Sequence, residues 1–219
     1  MLRNVRVFYR KLGRMKFVSH LDMNRYMPRL IKVSKIPAWY TEGFNQHLYI
    51  TFALPLSLGI TADYDCFDIK IYDDNYSDDM ILNALRKHAT EGIDILSASA
   101  PWCKTTELSY ASYTVVYKDS DDILLESLEK LFHSNYIPAE KKGKKGKVTL
   151  LNLAEKIKSI ETKRENGILI VKVTLPAGNT ETINPTLFLQ SFCSMGKRRP
   201  EIVTINRDML FDGKMNKFE

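Results

Sequence analysis

The chain has 219 residues, 44% hydrophobic and 26% charged, the profile of a globular protein that buries a sizeable core as one large domain or two small ones. No run approaches the roughly 20 apolar residues that span a bilayer, and the start MLRNVRVFYRKLGR lacks a signal-peptide apolar region, so a cytoplasmic protein without membrane contact is expected. The net charge of +6 is modest but uneven: ten Lys/Arg and one acid lie between Met1 and Tyr40, leaving 22 basic and 25 acidic residues for the rest.

Residues 3–9 alternate valine and aromatics with basic residues and predict a strand. Gly13 turns the chain, with 15–18 as a continuation. Ser19 is a good N-cap, and Asp22, three residues on, serves as the acidic partner of a capping box. The helix they open has Leu21, Met23, Tyr26, Met27, Leu30, Ile31 and Val33 on its apolar face. Pro28 kinks or interrupts it and Pro37 ends it. Strands follow over 38–41 and 48–54 around the turn-rich EGFNQH, then over 66–72. An acidic loop, DDNYSDD, caps a helix over 78–90, and a strand covers 93–99.

The second half repeats the order. A strand is predicted over 109–118 and an amphipathic helix over 121–133. A lysine-rich segment, KKGKKGK at 141–147, precedes the apolar run 148–153. A strand over 168–175, a helix over 184–193 and a strand over 202–206 complete it, and the polar tail after Phe211 frays. The fold class read from this order is α+β: two tandem ferredoxin-like (βαββαβ) halves packed together, with domains 1–104 and 105–219 and the basic loop 141–147 in the second.

Chemistry-bearing residues concentrate between Gly13 and Gly59. His20 and His47, with Asp22 and Glu42, suit acid–base or ligand work, yet no HxxxH or HxH spacing marks a metal site. A histidine in the first turn of a helix is also a common structural hydrogen-bonding group. Arg25, Arg29 and Lys32 recur at i, i+4 and i+7, one helix stripe, which is either a solvated face or a track for a phosphate backbone. Arg6 and Arg14 lie on the adjoining segment, and Trp39, Tyr40 and Phe44 offer stacking surfaces of the kind that single-stranded RNA binders use. KKGKKGK and GKRRPE at 196–201 are basic turns open to the same two readings. Three scattered cysteines without CxxC spacing argue for free thiols and against structural zinc. No P-loop, GxGxxG or GxSxG motif occurs, so no cofactor is expected.

The runs K-x-G-R-M-K-F-V-S-H-L-D, P-A-W-Y-T-E-G-F-N-Q-H and I-T-F-A-L-P-L-S-L-G resemble the signature of the bacterial radical SAM-associated protein family, a domain of unknown function found alone or fused to cobalamin-type radical SAM proteins. The resemblance carries Gly13, Arg14, Phe17, Ser19, His20, Leu21, Asp22, Arg25, Tyr40, Gly43, Phe44, His47, Phe52, Pro55, Leu56 and Gly59 as motif positions. Where the family loop usually reads G-F-x-P-H-P, Gln46 and Leu48 here replace both prolines. The resemblance implies a radical SAM protein as partner. The chain is not itself such a catalyst, because it lacks CxxxCxxC. Together with the basic face, it leads to a non-catalytic RNA-binding accessory module in tRNA or rRNA modification or processing. The RNA-binding set is Arg6, Arg14, Arg25, Arg29, Lys32, Trp39, Tyr40, Phe44 and His47. Two alternatives stand beside this reading. One is a metal-independent ribonuclease-like enzyme using His20 and His47 with Asp22; the other is a protein-only adaptor for the radical SAM partner.

Overall fold

The computed structural model describes residues 2–72, 75–142 and 148–219. Asp73 and Asp74 of the acidic loop and residues 143–147 of the lysine-rich loop lie outside the described residues. The protein is α+β, with four α-helices and ten strands among the described residues, and no described helix is long and apolar enough to cross a membrane. It forms two compact units: Met1–Leu108 with Met209–Glu219, and Ser109–Asp208. The division thus falls at the start of a strand, four residues beyond the expected 104, and the chain returns to its first unit at Met209.

In the first unit β1 (Arg3–Lys11) leads through a 3-10 turn at Gly13–Phe17 into α1 (His20–Val33). The turn replaces the expected strand continuation. Ser19 caps α1 by accepting the N–H of Asp22 at 3.2 Å, and its hydroxyl donates to Asp22 Oδ2 at 2.7 Å. The acid of this box therefore engages the capping hydroxyl. Pro28 does not interrupt the helix. Its missing N–H deprives only the carbonyl of Asn24, an exposed residue that water can serve. The helix ends at Val33, short of Pro37, where Lys35 takes a left-handed φ of 55°.

β2 (Ile50–Phe52), β3 (Thr61–Ile71), α2 (Asp78–His88) and β4 (Ile93–Ser99) follow. The expected strand 38–41 survives only as isolated bridges, Ala38 to Ile71 and Tyr40 to Leu48. Ser77, rather than an aspartate, caps α2 by accepting the N–H of Met80, and Asp78 in the first turn takes Arg3 at 2.7 Å. The sheet order is β4-β1-β3-β2, each pair antiparallel. Alternation along the strands divides the unit into two faces. Val5, Val7, Tyr9, Phe67, Ile69 and Ile71 form the core with Met23, Met27, Leu30 and Ile31 of α1 and Ile81 and Leu85 of α2. The intervening residues, Arg6, Phe8, Asp68 and Lys70, face the other way. The tail closes over that other face. Phe218 is fully buried and donates its N–H to Leu210, while Asp212 gathers the backbone N–H groups of Lys214 and Asn216. The expected fraying does not occur, because one aromatic side chain buried near the chain end anchors the segment.

The second unit runs β5 (Leu108–Lys118), α3 (Asp122–Phe132), the hairpin β6 (Pro138–Lys142) with β7 (Val148–Asn152), β8 (Ser159–Glu165), β9 (Ile168–Pro176), α4 (Thr186–Ser194) and β10 (Glu201–Asp212). Asp121 caps α3, accepting from the N–H groups of Ile123 and Leu124. Phe132 of α3 stacks on Phe188 of α4 at 4.8 Å over the core. The strand order is β10-β5-β9-β8, with β9 antiparallel to both of its neighbours. Apart from the inserted hairpin, both units run β-α-β-β-α-β and order their strands fourth, first, third, second.

Candidate nucleic-acid interface

On α1 the apolar side is spent on the core, which leaves Arg25, Arg29 and Lys32 exposed together. Arg25 reaches Asp22 at 3.5 Å, with side chains 74% and 54% exposed, a pairing of little worth in water. Arg29 and Lys32 carry no ion pair among the described residues. The stripe keeps its charge. Arg14, also exposed, stands on the 3-10 turn that Gly13 opens at φ 54°. Gly59 docks the following loop onto that turn, donating its N–H to the Lys16 carbonyl at 2.7 Å with φ 85°. Both glycines are there for backbone conformation, since a Cβ at either would meet nothing within 4 Å. Phe17, Leu21 and Leu58, on this turn, the first turn of α1 and the docked loop, are 67%, 71% and 63% exposed.

Residues 38–49 fold back on themselves. Trp39 donates to the Lys70 carbonyl, Tyr49 to that of Trp39, and Thr41 to that of His47. The tip carries Gly43 at φ 119° and a fully exposed Phe44, with Tyr40 exposed below it. His47 is exposed, and its backbone N–H donates to Thr41 Oγ1. Its Nδ1 lies 3.1 Å from both the Asn45 carbonyl and Thr41 Oγ1.

His20 opens α1, half-buried, with its ring edge-on to Phe52 at 5.2 Å. Asp22 is exposed, and the Ser19 hydroxyl holds its carboxyl below the usual carboxylate range. The contacts of Asp22 and of His47 reach neither each other nor His20. The Asp22 hydrogen bonds stay within the helix cap and its ion pair with Arg25, and those of His47 stay within the hairpin. Among the described residues no group of three or more His, Cys, Asp or Glu could hold a metal. None of the three cysteines forms a disulfide among the described residues, and Cys66 is buried.

Arg6, expected on the phosphate-binding face, is instead fully buried. The antiparallel register sets it opposite Asp68. Its Nε and Nη2 donate to the two carboxylate oxygens at 2.7 and 2.9 Å. Nη2 and Nη1 also donate to the carbonyls of Cys103 and Glu219, both at 2.9 Å, and the guanidinium lies 4.4 Å from the Phe218 ring centroid. Burial alone would lower its pKa, but the hydrogen bonds and charge of Asp68 outweigh that and raise it, so the group stays charged. Arg6 is a structural ion pair sealing the sheet under the tail.

Farther along the same face Lys70 places Nζ 5.1 Å from the Trp39 ring and 4.7 Å from Tyr49, which themselves pack at 5.6 Å. All three are half-buried. This cation–aromatic cluster joins Trp39, which the sequence singled out, to Lys70 and Tyr49, which it did not. Only strand parity would have found them: Lys70 is the one cation of a strand otherwise reading apolar at 67, 69 and 71. The cluster and the α1 stripe lie on opposite faces of the sheet, so the expected binding set is divided between two surfaces.

No curated protein matches the chain. Among solved structures, a crystal structure of a Cbf5-Nop10-Gar1 complex is similar over 92% of this chain at 9% identity and a TM-score of 0.48. This chain spans about half, 47%, of that one. An unknown protein from Galdieria sulphuraria is similar over 90% of this chain and 91% of its own, at 12% identity and a TM-score of 0.27. A family model matches residues 4–185, covering the motif segment, the rest of the first unit up to Leu108 and most of the second, and the chain belongs to that family, the uncharacterized proteins conserved in bacteria designated DUF2344.

Proposed function

We propose that this protein is a cytoplasmic RNA-binding accessory module, built of two ferredoxin-like units, that presents tRNA or rRNA to a radical SAM protein for modification or processing. The observation that carries the RNA reading is the unneutralised stripe Arg25, Arg29 and Lys32 on α1, three exposed cations in a row whose single acidic neighbour is 3.5 Å away and solvent-exposed. Such a row exchanges condensed counterions for protein charge along a phosphate backbone. Phe44 and Tyr40 supply exposed aromatic faces nearby in the chain. The shared β-α-β-β-α-β order and the fourth-first-third-second strand arrangement support the ferredoxin-like description of both units. The radical SAM partner rests on the motif resemblance.

The test is fluorescence anisotropy with labelled single-stranded RNA and tRNA across a salt series. Replacing Arg25, Arg29 and Lys32 together by glutamine lowers the slope of log K against log salt by about 2 for single strands, roughly 0.7 per lost contact. An unchanged slope removes α1 from the interface. A second reading, the protein-only adaptor, is favoured by one observation, the exposed apolar side chains of Phe17, Leu21 and Leu58. In that case Phe17→Ser abolishes co-purification with the radical SAM protein and leaves RNA affinity as it was.

A further inference from the structure

The second unit holds a cavity that the RNA reading does not use. It measures about 370 Å³, at the small end of the range for small-molecule sites, and lies along one side of α4. Leu189, Gln190 and Cys193 line it from the helix, and Ile202 from the strand that follows. The turn after α4 makes this possible. Gly196, at φ 77° with its N–H on the Cys193 carbonyl, reverses the chain so that 197–202 runs back beside the helix. Lys197 and Arg199 both reach the cavity, and neither has an ion pair among the described residues. Arg198, between them, turns away to bind Asp119 with two hydrogen bonds, 2.6 and 2.8 Å. One of the three successive cations is thus held by Asp119, and the two beside it line the pocket.

We propose that this cavity binds a purine nucleoside monophosphate. Two cations two residues apart suit a compact dianion, and arginine forms bidentate bonds with phosphate oxygens. Leu189, Ile202 and the Cys193 thiol give an apolar bed of the kind a flat ring fills. Gln190 supplies a side chain able to donate and accept at once, the combination that pairs with the N6/N7 edge of adenine. The inference is independent of RNA binding, which was argued on the first unit alone.

Cys193 provides the readout, since its half-buried thiol lines the cavity while Cys103 belongs to the other unit. Iodoacetamide labelling of the full chain is followed at each cysteine by peptide mass spectrometry, with AMP, GMP, CMP, UMP, adenosine or inorganic phosphate present. AMP slows Cys193 in proportion to occupancy, about tenfold when the ligand is at about ten times its Kd, and leaves Cys103 unchanged. Arg199→Gln or Lys197→Gln, both at exposed positions, weakens the AMP midpoint about tenfold, the loss of one charge-assisted hydrogen bond. Any of three results overturns the assignment: no protection by millimolar AMP, equal protection by inorganic phosphate alone, or parallel slowing of Cys103.

Discussion

Removing Asp68 is the sharpest perturbation of the first unit. Asp68→Ala takes away both oxygens that hold Arg6, a side chain with no solvent exposure, and leaves a charged guanidinium facing the carbonyls of Cys103 and Glu219 and the Phe218 ring. Breaking a buried pair by deleting one partner costs about 3–5 kcal/mol, and the two surviving carbonyl acceptors argue for the lower end, about 3. In a chain of this length that lowers Tm by roughly 6–12 °C. Arg6→Met is the milder change. It keeps an apolar stem of similar reach, and it leaves Asp68 17% exposed, open to water, for a cost of about 1–2 kcal/mol. The double variant then costs clearly less than the two singles added, because each single strands a partner that the double removes. Urea denaturation followed by far-UV circular dichroism measures all three, with the slope m checked for constancy. A cost below about 1 kcal/mol for Asp68→Ala, or equal costs for the two singles, would refute a dry guanidinium sealed by the tail. RNA affinity serves as a further control: Arg6→Met leaves it unchanged, in contrast to the α1 stripe.

Two further predictions concern backbone and pH. Gly59→Ala strains a left-handed residue without any clash and costs about 1–2 kcal/mol, whereas Gly92→Ala adds a Cβ 2.8 Å from the Leu12 carbonyl at φ 86° and costs more; thermal melts that rank them the other way would contradict the packing of the 3-10 turn. Asp22, Asp119 and Asp212 are held below the usual carboxylate range by hydrogen bonds from Ser19, Arg198 and Asn216 respectively. Folded values below unfolded ones mean that this stabilisation is complete above the ordinary aspartate value near about 4 and is lost as pH falls through the folded values. The urea midpoint therefore holds level from neutrality down to about pH 5 and drops below it, and Asp119→Asn flattens the drop. A midpoint that rises on acidification would reverse the sign.

What could be read from the residues was local. The Ser19 cap, the strand at Ile93–Ser99 and the helix near Asp122–Phe132 follow from signals a few residues apart, and they occur where expected. β8 carries no sequence signal, because its residues are mostly exposed and no apolar alternation marks it. The hairpin β6–β7 is legible in part: KKGKKGK reads as a hairpin tip or loop and 148–153 as an apolar run, but the strand Pro138–Lys142 on the other side carries no apolar signal of its own. The tail after Phe211 reads as polar, and the one residue that ties it down, Phe218, is legible only once the face of the sheet is known. Arg6 shows the same limit in charge. An arginine in a basic run looks solvated, and its partner lies 62 positions along the chain.

That long-range pairing also explains why the basic segment does not act as one surface. β1 alternates, so a run of arginines on it cannot all face solvent: Val5 and Val7 must enter the core beneath α1, and Arg6 must go the other way, under the tail. The cations of α1 escape this constraint because a helix needs only a stripe of its circumference for the core. A binding surface of the proposed kind in the first unit would be built either from α1 and the turn beside it, or from Lys70, Trp39 and Tyr49 on the opposite face, and the parity of β3 keeps the two apart. One strand of RNA lying on α1 leaves Trp39 free, so a loss of affinity in Arg25→Gln that Trp39→Ala does not share assigns the phosphate track to the helix. The reverse pattern assigns it to the sheet, where Lys70 would give up its aromatic contacts to meet a phosphate.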